Sequence, residues 1–128
     1  MARILLADDD ASTRDLVRRA LEADGHSVLV TQDGAEALEQ LQAGGGGAGG
    51  KAGGNTFDVL VSDVEMPLLD GISLAEHALK QPQMRVLLMS GFSEQLDRAR
   101  ALAGTKLAVI SKPFTLEDVR AGVRRLLG

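Results

Sequence analysis

The sequence predicts a doubly wound α/β fold, in which five parallel strands form one sheet between two layers of helices. Five short apolar segments alternate with five segments of helical periodicity, and the chain has 128 residues, the size of one compact domain. Parallel strands that helices cover on both faces are continuously apolar. Of the two common strand orders for such sheets, 2-1-3-4-5 fits five strands and this length. We therefore expect a single three-layer domain over residues 1–128.

The first half of the chain contains two strand–helix pairs. Apolar runs predict strands at 3–7 and 27–31. Helical spacing predicts a helix at 12–23, with Ser12 or Thr13 as its N-cap and Asp24-Gly25 at its end. Its apolar positions are Leu16, Val17, Ala20 and Leu21. Asp33-Gly34 then opens a second helix, which runs to about residue 43.

A low-complexity tract at 44–54, GGGGAGGKAGG, separates the second helix from the third strand. Such tracts are typical of flexible coil. A phosphate-binding loop requires a strand before the glycines and a helix after them, and here the order is reversed. We therefore interpret the tract as a connection, which the fold tolerates because each doubling of loop length costs only about 0.6 kcal/mol.

The second half of the chain supplies three more strands, each followed by a helix. Apolar runs predict the strands at 57–62, 85–89 and 107–110. Helical spacing predicts the helices at about 71–80, 93–103 and 115–127. The last helix is the most clearly amphipathic, through Leu116, Val119, Val123, Leu126 and Leu127.

Composition restricts the functions that are open to the chain. Cysteine is absent, which excludes disulfides and a zinc–thiolate site. The net charge of −4 and the presence of only three aromatic residues, all Phe, argue against a nucleic-acid binder. No apolar run approaches the length of a membrane span, and no export leader precedes the first strand. We expect a cytoplasmic protein that binds neither nucleic acid nor membrane, with no output domain.

Polar residues follow four of the five predicted strands. Because ligands bind at the carboxyl ends of the strands in open parallel sheets, these residues are expected to converge. Thr31 and Gln32, after the second strand, add no charge to the group. The converging residues are Asp8, Asp9 and Asp10 after the first strand, Asp63 after the third, Ser90-Gly91 after the fourth and Lys112-Pro113 after the fifth.

Carboxylates gathered at one edge predict a divalent cation. At about 5 Å and an effective dielectric constant of about 20, each carboxylate pair costs on the order of 3 kcal/mol, so the cluster needs a raised pKa or a cation. An all-oxygen set beside one ammonium group suits Mg²⁺. We expect Asp9 and Asp63 to bind it directly, Asp8 to bind through water, and the backbone carbonyl of Glu65 to complete the set.

Each of these residues also has a simpler interpretation. Asp8, Asp9 and Asp10 could cap the first helix, and capping is the better account of Asp10. Lys112 alone would be a surface lysine, and Ser90 alone would be a turn residue. The peptide bond before Pro113 could be cis, since that form costs only about 0.5–1 kcal/mol before proline.

The segments RILLADDD, SDVEMPLLDG, LLMSGF and ISKPFTLEDV together resemble the receiver domains of two-component signalling over the whole chain. The resemblance implies a flavodoxin-like fold and a phosphoryl group accepted on Asp63 with Mg²⁺. It further implies an acidic pair of Asp8 and Asp9, a switch hydroxyl on Ser90 and a charge partner in Lys112. A histidine kinase or histidine phosphotransferase would be the donor, and the protein would catalyse only its own phosphorylation and dephosphorylation.

The chain departs from the common receiver pattern at Val109. Many receivers carry Tyr or Phe three residues before the lysine, where the ring acts in the switch. Val109 stands there, and Tyr is absent from the chain. Phe92, two residues after Ser90, is either a substitute switch residue or an ordinary packing residue.

Within the family, RILLADDD, MSGF and ISKPFTL resemble the CpdR-type single-domain regulators of alphaproteobacteria. That likeness implies a monomer or weak dimer that acts as a phosphorylation-controlled adaptor for a ClpXP-type protease in cell-cycle control. A phosphotransferase is expected to dock on the first helix and the loop after the fifth strand. The docking candidates are Ser12, Arg14, Pro113 and Phe114, although Phe114 could instead pack onto the last helix.

Three rival functions stay open. A phosphate sink would need only the phosphoryl site. A chemotaxis regulator would be expected to use an aromatic residue on the fifth strand, where Val109 stands. A haloacid-dehalogenase-type phosphatase would use two acids two residues apart after the first strand, and Asp8 and Asp10 fit that spacing. Such an enzyme would not need Lys112-Pro113 beside Asp63, and it would turn over free phosphate esters.

Overall fold

A computed structural model of the chain describes residues 2–44, 57–102 and 104–128. Beyond Gly44, the glycine-rich tract predicted at 44–54 lies outside the described residues. Within these ranges, five strands alternate with five α-helices, and one 3₁₀ turn precedes the last strand. The elements are β1 Arg3–Ala7, α1 Ala11–Ala23, β2 Ser27–Thr31, α2 Gly34–Gly44, β3 Val59–Asp63, α3 Gly71–Ala78, β4 Arg85–Ser90, α4 Ser93–Arg100, the 3₁₀ turn Gly104–Lys106, β5 Leu107–Ser111 and α5 Leu116–Leu127.

The five strands form one parallel sheet in the order β2-β1-β3-β4-β5, which confirms the predicted flavodoxin-like topology. The register aligns the carboxyl ends of the strands. Ala7 pairs with Ser62, Asp63 with Met89, and Ser90 with Ser111. The residues that follow β1, β3, β4 and β5 therefore share one edge of the sheet.

The sheet separates two hydrophobic clusters because successive side chains along a strand point to opposite faces. One cluster contains Leu5 and Leu60 and packs under α2, α3 and α4. The other contains Leu6 and joins Val17 of α1 to Val119 of α5. Each fully buried aliphatic side chain contributes about 1.5–3 kcal/mol to the free energy of folding. Burial on both faces therefore stabilises the packing of helices above and below the sheet.

The first helix begins one residue earlier than predicted and ends at the predicted residue. Its N-cap is Asp10 rather than Ser12 or Thr13, because the Asp10 carboxylate accepts the backbone N–H of Thr13 at 3.2 Å. The helical spacing also counted Leu16 with the apolar face, but Leu16 is 50% exposed. The Asp24-Gly25 end is confirmed, with Gly25 at a φ of +93°.

A charged contact links the end of α1 to α5. Arg120 donates from Nε and Nη2 to the Asp24 carboxylate, the latter at 2.5 Å, and Arg124 donates from Nη1 at 3.3 Å. The side-chain hydrogen bond of Arg120 is the largest cause that lowers the pKa of Asp24. The two helices that cover one face of the sheet are thus tied together.

The second half of the chain differs from the predicted bounds by one to three residues. β3 begins at Val59 rather than at 57, because the Asp58 carboxylate accepts the backbone N–H of Arg3 at 2.8 Å. Both β3 and β4 extend one residue further than predicted, so Asp63 and Ser90 are their last residues. A Thr115–Asp118 capping box starts α5 at Leu116. No helix in the described ranges has the length and apolar character needed to cross a bilayer.

Candidate functional site

Three aspartates meet at the carboxyl edge of the sheet. Asp8 and Asp9 directly follow β1, and Asp63 ends the neighbouring strand β3. One carboxylate oxygen from each lies within 4.8 Å of the other two. Asp10 does not join this group because its carboxylate caps α1, and hydrogen bonds from Thr13 are the largest causes that lower its pKa. The structure thus separates the capping acid from the other three.

Burial dominates the electrostatics of two of these aspartates. Asp8 is 1% exposed and Asp63 is 3% exposed. Burial is the largest cause that raises the pKa of Asp63 to about 6, and it outweighs the lowering effect of Lys112. The charges of Asp8 and Glu65 add to the rise. Burial likewise raises the pKa of Asp8, although the Asp10 backbone N–H, which donates to Asp8 Oδ1 at 2.9 Å, opposes it.

Lys112 provides the positive charge next to these carboxylates. Its Nζ lies 2.6 Å from Asp63 Oδ1. The Lys112–Pro113 peptide bond is cis, in agreement with the form that the sequence allowed. Burial alone would lower the pKa of Lys112, but its contact with Asp63 and the charges of Asp8 and Glu65 outweigh that effect and raise the pKa. The ammonium group is therefore held in its charged form beside Asp63.

Two buried oxygens at the site have no hydrogen-bond donor among the residues that the structure describes. They are Asp8 Oδ2 and Asp63 Oδ1. Asp63 Oδ1 does, however, form an ion pair with Lys112 Nζ at 2.6 Å. Unsatisfied buried oxygens are costly, and a hard divalent cation prefers such oxygens as ligands. The donor set of Asp8, Asp9 and Asp63 therefore fits Mg²⁺.

The Ser90 hydroxyl lies at the end of β4, next to Asp63 on the neighbouring strand, but its hydrogen bonds go elsewhere. It donates to Glu65 Oε2 at 2.7 Å and accepts the backbone N–H of Phe92 at 3.0 Å. The sequence predicted a role for the Glu65 carbonyl and gave no sign of this side-chain contact. The role of the carbonyl stays a prediction.

The proposed switch residues differ in exposure. Phe92 is 61% exposed, so ordinary core packing does not account for it. It is the N-cap residue of α4, without a side-chain capping bond. Val109 is partly buried and packs against the cluster that contains Leu88. No aromatic ring therefore occupies the position on β5 where many receivers carry one.

The loop after β3 packs closely against its neighbours. A Cβ atom on Gly71 would lie 2.2 Å from the carbonyl oxygen of Asp63, and one on Gly34 would lie 1.8 Å from that of Leu69. Asp70 caps α3 by accepting the backbone N–H of Ser73 at 2.8 Å. These glycines thus allow the loop that carries Glu65 to lie against both the site and α2.

An apolar surface adjoins the acidic cluster. Phe114 packs against the core cluster under α1 and α5, which supports the packing interpretation, and it also lines the same cavity as the aspartates. Leu16 lines this cavity as well, although the helical spacing counted it with the apolar face of α1. Arg14 donates from Nη1 to the Asp8 carbonyl at 2.8 Å, while Ser12 is exposed at the start of α1. We call Leu16, Pro113, Phe114 and Leu116 the apolar rim of the site.

Comparison with known proteins agrees with this geometry. Residues 4–124 match the family described as the response regulator receiver domain. The chain is 34% identical over 128 residues to the response regulator receiver protein CpdR of Brucella abortus, covering 99% of this chain and 98% of that protein. It is 32% identical to the response regulator MprA of Mycobacterium avium, of which it spans 50%.

Solved structures show the same relationship. The receiver domain of the hybrid histidine kinase CckA aligns with a TM-score of 0.76 at 29% identity, covering 98% of this chain and 99% of that one. The chemotaxis response regulator CheY4 of Vibrio cholerae aligns with a TM-score of 0.78 at 30% identity, covering 98% of each chain. The acidic cluster, the lysine and the fold occur together in a chain that matches the family along almost its whole length. The chain belongs to the response regulator receiver domain family of two-component signalling.

Proposed function

We propose that Asp63 accepts a phosphoryl group in a magnesium-dependent reaction and that the phosphorylated chain changes its protein partners. The observation that carries the proposal is the position of Asp63. Asp63 is buried, and its Oδ1 lies 2.6 Å from Lys112 Nζ. One of its carboxylate oxygens lies within 4.8 Å of a carboxylate oxygen of Asp8 and of Asp9. A carboxylate placed in this way is a nucleophile with a compensating charge already beside it.

The transfer step forms one bond and breaks one. An oxygen of the ionised Asp63 carboxylate attacks phosphorus, and the bond from phosphorus to an imidazole nitrogen of the partner's phosphohistidine breaks. The other ring nitrogen of the phosphohistidine carries a proton, the departing nitrogen keeps the electron pair, and the products are therefore an aspartyl phosphate and a neutral histidine. Because the pKa of Asp63 is about 6, the carboxylate is mostly ionised at pH 7.5.

The residues of the site then stabilise the charge that the phosphoryl group brings. Lys112 is placed to pair with a phosphoryl oxygen once Asp63 has reacted. Mg²⁺, held by Asp9 and Asp63 with Asp8 through water and the Glu65 carbonyl, would neutralise negative charge on the phosphoryl oxygens. Attack of water on phosphorus then regenerates the Asp63 carboxylate and releases phosphate. We propose that the protein catalyses only these two reactions, its own phosphorylation and dephosphorylation.

A first experiment tests the acceptor. The protein is incubated with acetyl phosphate, with and without Mg²⁺, and the mass of the intact protein is measured by mass spectrometry. We expect a phosphoryl adduct that requires Mg²⁺ and is absent from Asp63→Asn. Asp97→Asn is the matched control, since Asp97 is exposed on α4. An adduct on Asp63→Asn would refute the assignment, and turnover of p-nitrophenyl phosphate would favour the phosphatase instead.

For the partners, we propose a histidine phosphotransferase as donor and a protease-adaptor role for the unphosphorylated form. The likeness to CpdR of Brucella abortus along 99% of this chain supports the adaptor role. We expect the chain to promote degradation of selected substrates by a ClpXP-type protease and to lose that effect when phosphorylated. Asp63→Asn should keep the effect in the presence of the donor. Degradation rates that never depend on the chain would favour a phosphate sink or a chemotaxis-type regulator. The cytoplasmic location and single-domain organisation stay predictions.

A further inference from the structure

The contact between Ser90 and Glu65 limits what the Ser90 hydroxyl can do. A serine hydroxyl has one proton to donate. In this structure that proton goes to Glu65 Oε2 at 2.7 Å, and the Ser90 oxygen accepts the Phe92 N–H at 3.0 Å. Ser90 can therefore donate to a phosphoryl oxygen on Asp63 only after its bond to Glu65 has broken.

We propose that Glu65 is a positioning residue whose carboxylate holds the Ser90 proton in the unphosphorylated chain, so that an incoming phosphoryl group must compete for it. This inference rests on the proposed function of Asp63. A hydroxyl bonded to a carboxylate makes one of the stronger hydrogen bonds in proteins. Ser90 is 0% exposed, so bulk water cannot readily replace Glu65 as the acceptor of its proton.

The contact also connects the site to α4. Phe92 is the N-cap residue of α4, and its N–H has the Ser90 oxygen as acceptor. A χ1 rotation that carries the Ser90 oxygen toward a phosphoryl oxygen also takes it away from this N–H, and the start of α4 is then free to shift. The exposed Phe92 ring would move with it. The site could thus signal to α4 although Val109 supplies no ring on β5.

Charge and hydrogen bonding at position 65 can be separated by substitution. Glu65→Gln removes the charge and keeps an oxygen acceptor for Ser90, whereas Glu65→Ala removes both. Ser90→Ala removes the hydroxyl. Glu94→Ala is the control, since Glu94 is an exposed carboxylate that lines the same surface pocket as Glu65 and Phe92 but has no bond to Ser90. Thermal unfolding of every variant verifies that each is folded.

The test measures binding of beryllofluoride, a phosphoryl mimic, in the presence of Mg²⁺ by amide NMR shifts. We expect Glu65→Ala to bind about tenfold more tightly than Glu65→Gln, a difference of about 1.4 kcal/mol. That gain should vanish when Ser90→Ala is added. In the free protein, the Phe92 amide signal should move in Glu65→Ala and stay close to its original position in Glu65→Gln and Glu94→Ala.

The outcomes distinguish the two proposals. If Glu65→Ala and Glu65→Gln bind equally, Glu65 acts by charge alone. If the gain persists in Ser90→Ala, it does not depend on the Ser90 hydroxyl. Either result refutes the competition while the phosphoryl site stands. If the wild type does not bind beryllofluoride at all, the phosphoryl site and the competition are both refuted.

Discussion

Lys112 Nζ and Asp63 Oδ1 lie 2.6 Å apart across the carboxyl ends of β5 and β3, with β4 between the two strands. The pair joins a nearly buried carboxylate to a lysine side chain that is 35% exposed. The charge of Lys112 lowers the pKa of Asp63, but burial prevails and the pKa stays raised. The lysine therefore only partly offsets the cost of burying the carboxylate. A bound cation or a proton on Asp63 would offset the remainder.

Lys112→Met should slow phosphorylation strongly. Met retains a similar stem but removes the charge that faces Asp63. Loss of one preorganised charge-stabilising group typically reduces a rate by about 100- to 1,000-fold, and because Lys112 is partly exposed we expect a smaller loss, roughly 10–100-fold. The rate of adduct formation from acetyl phosphate at fixed Mg²⁺ measures this. Lys106→Met, which changes a lysine outside the acidic cluster, is the control, and an unchanged rate in Lys112→Met would contradict the role of the pair.

Asp63→Asn should gain stability relative to the wild type as the pH rises. The pKa of Asp63 is raised from 3.8 to about 6 in the folded protein, so the native state binds the proton more tightly than the unfolded chain. This contribution is fully present below about pH 4 and is lost as the pH rises through about 6. The difference between the proteins should grow by about 3 kcal/mol over that window. Urea unfolding from pH 4 to pH 7.5 tests it, and a constant difference would disprove the raised pKa.

Mg²⁺ should stabilise the folded protein, and more so at pH 7.5 than at pH 5.5. Protons compete with the cation for Asp63 at the lower pH. At ten times its dissociation constant, a ligand that binds only the native state adds about 1.4 kcal/mol. Thermal unfolding with Mg²⁺ or with EDTA measures the effect. Asp9→Asn should abolish it, while Asp97→Asn should retain it; equal shifts in both variants would place the cation elsewhere.

Gly71→Ala should destabilise the fold by about 2 kcal/mol or more, because its Cβ would lie 2.2 Å from the Asp63 carbonyl oxygen. The matched variant is Gly91→Ala, whose Cβ would meet only the Lys112 Cβ at an ordinary 3.8 Å. We expect Gly91→Ala to change the free energy of unfolding by less than about 0.5 kcal/mol. Urea unfolding compares them, and equal values would show that the close approach at Gly71 is relieved at little cost.

Leu16→Ser should weaken phosphotransfer from a protein donor while leaving the reaction with acetyl phosphate intact. Leu16 is 50% exposed and belongs to the apolar rim beside the acidic cluster. Loss of one interface contact of this kind costs about 1 kcal/mol, a factor of roughly five. Leu29→Ser, at a 39% exposed position on β2, is the control. Equal transfer rates from a phosphorylated histidine phosphotransferase would exclude Leu16 from docking.

The alternation of elements predicted the parallel sheet and the convergence of Asp8, Asp9, Asp63 and Lys112, whereas the strand order was a choice between the two common ones. In a parallel sheet, whatever follows a strand lies at one edge. The first and last residues of the strands and helices were harder to predict. The Asp58 side chain accepts the backbone N–H of Arg3, so that β3 begins only at Val59. The pattern of apolar residues in the sequence does not indicate such a contact.

Side-chain directions were the part that pattern could not supply. Leu16 fits the helical spacing of the apolar face, yet it lies at its margin and faces the site cavity. The switch role of Ser90 stays a prediction, but no pattern indicated that its proton goes to Glu65, 25 residues away in the sequence. Such a choice depends on rotamers and local acceptors, and these are defined only once the chain is folded.

The link from Asp24 to Arg120 has a consequence for synthesis of the chain. The C-cap residue of α1 finds its charged partners only on α5, 96 residues later. During translation, α1 can pack early against β1 and β3 through Val17, but the cluster that contains Val17 lacks Val119 and Val123 until α5 has been made. We therefore expect the nascent chain to leave part of this cluster exposed to chaperones until synthesis reaches α5.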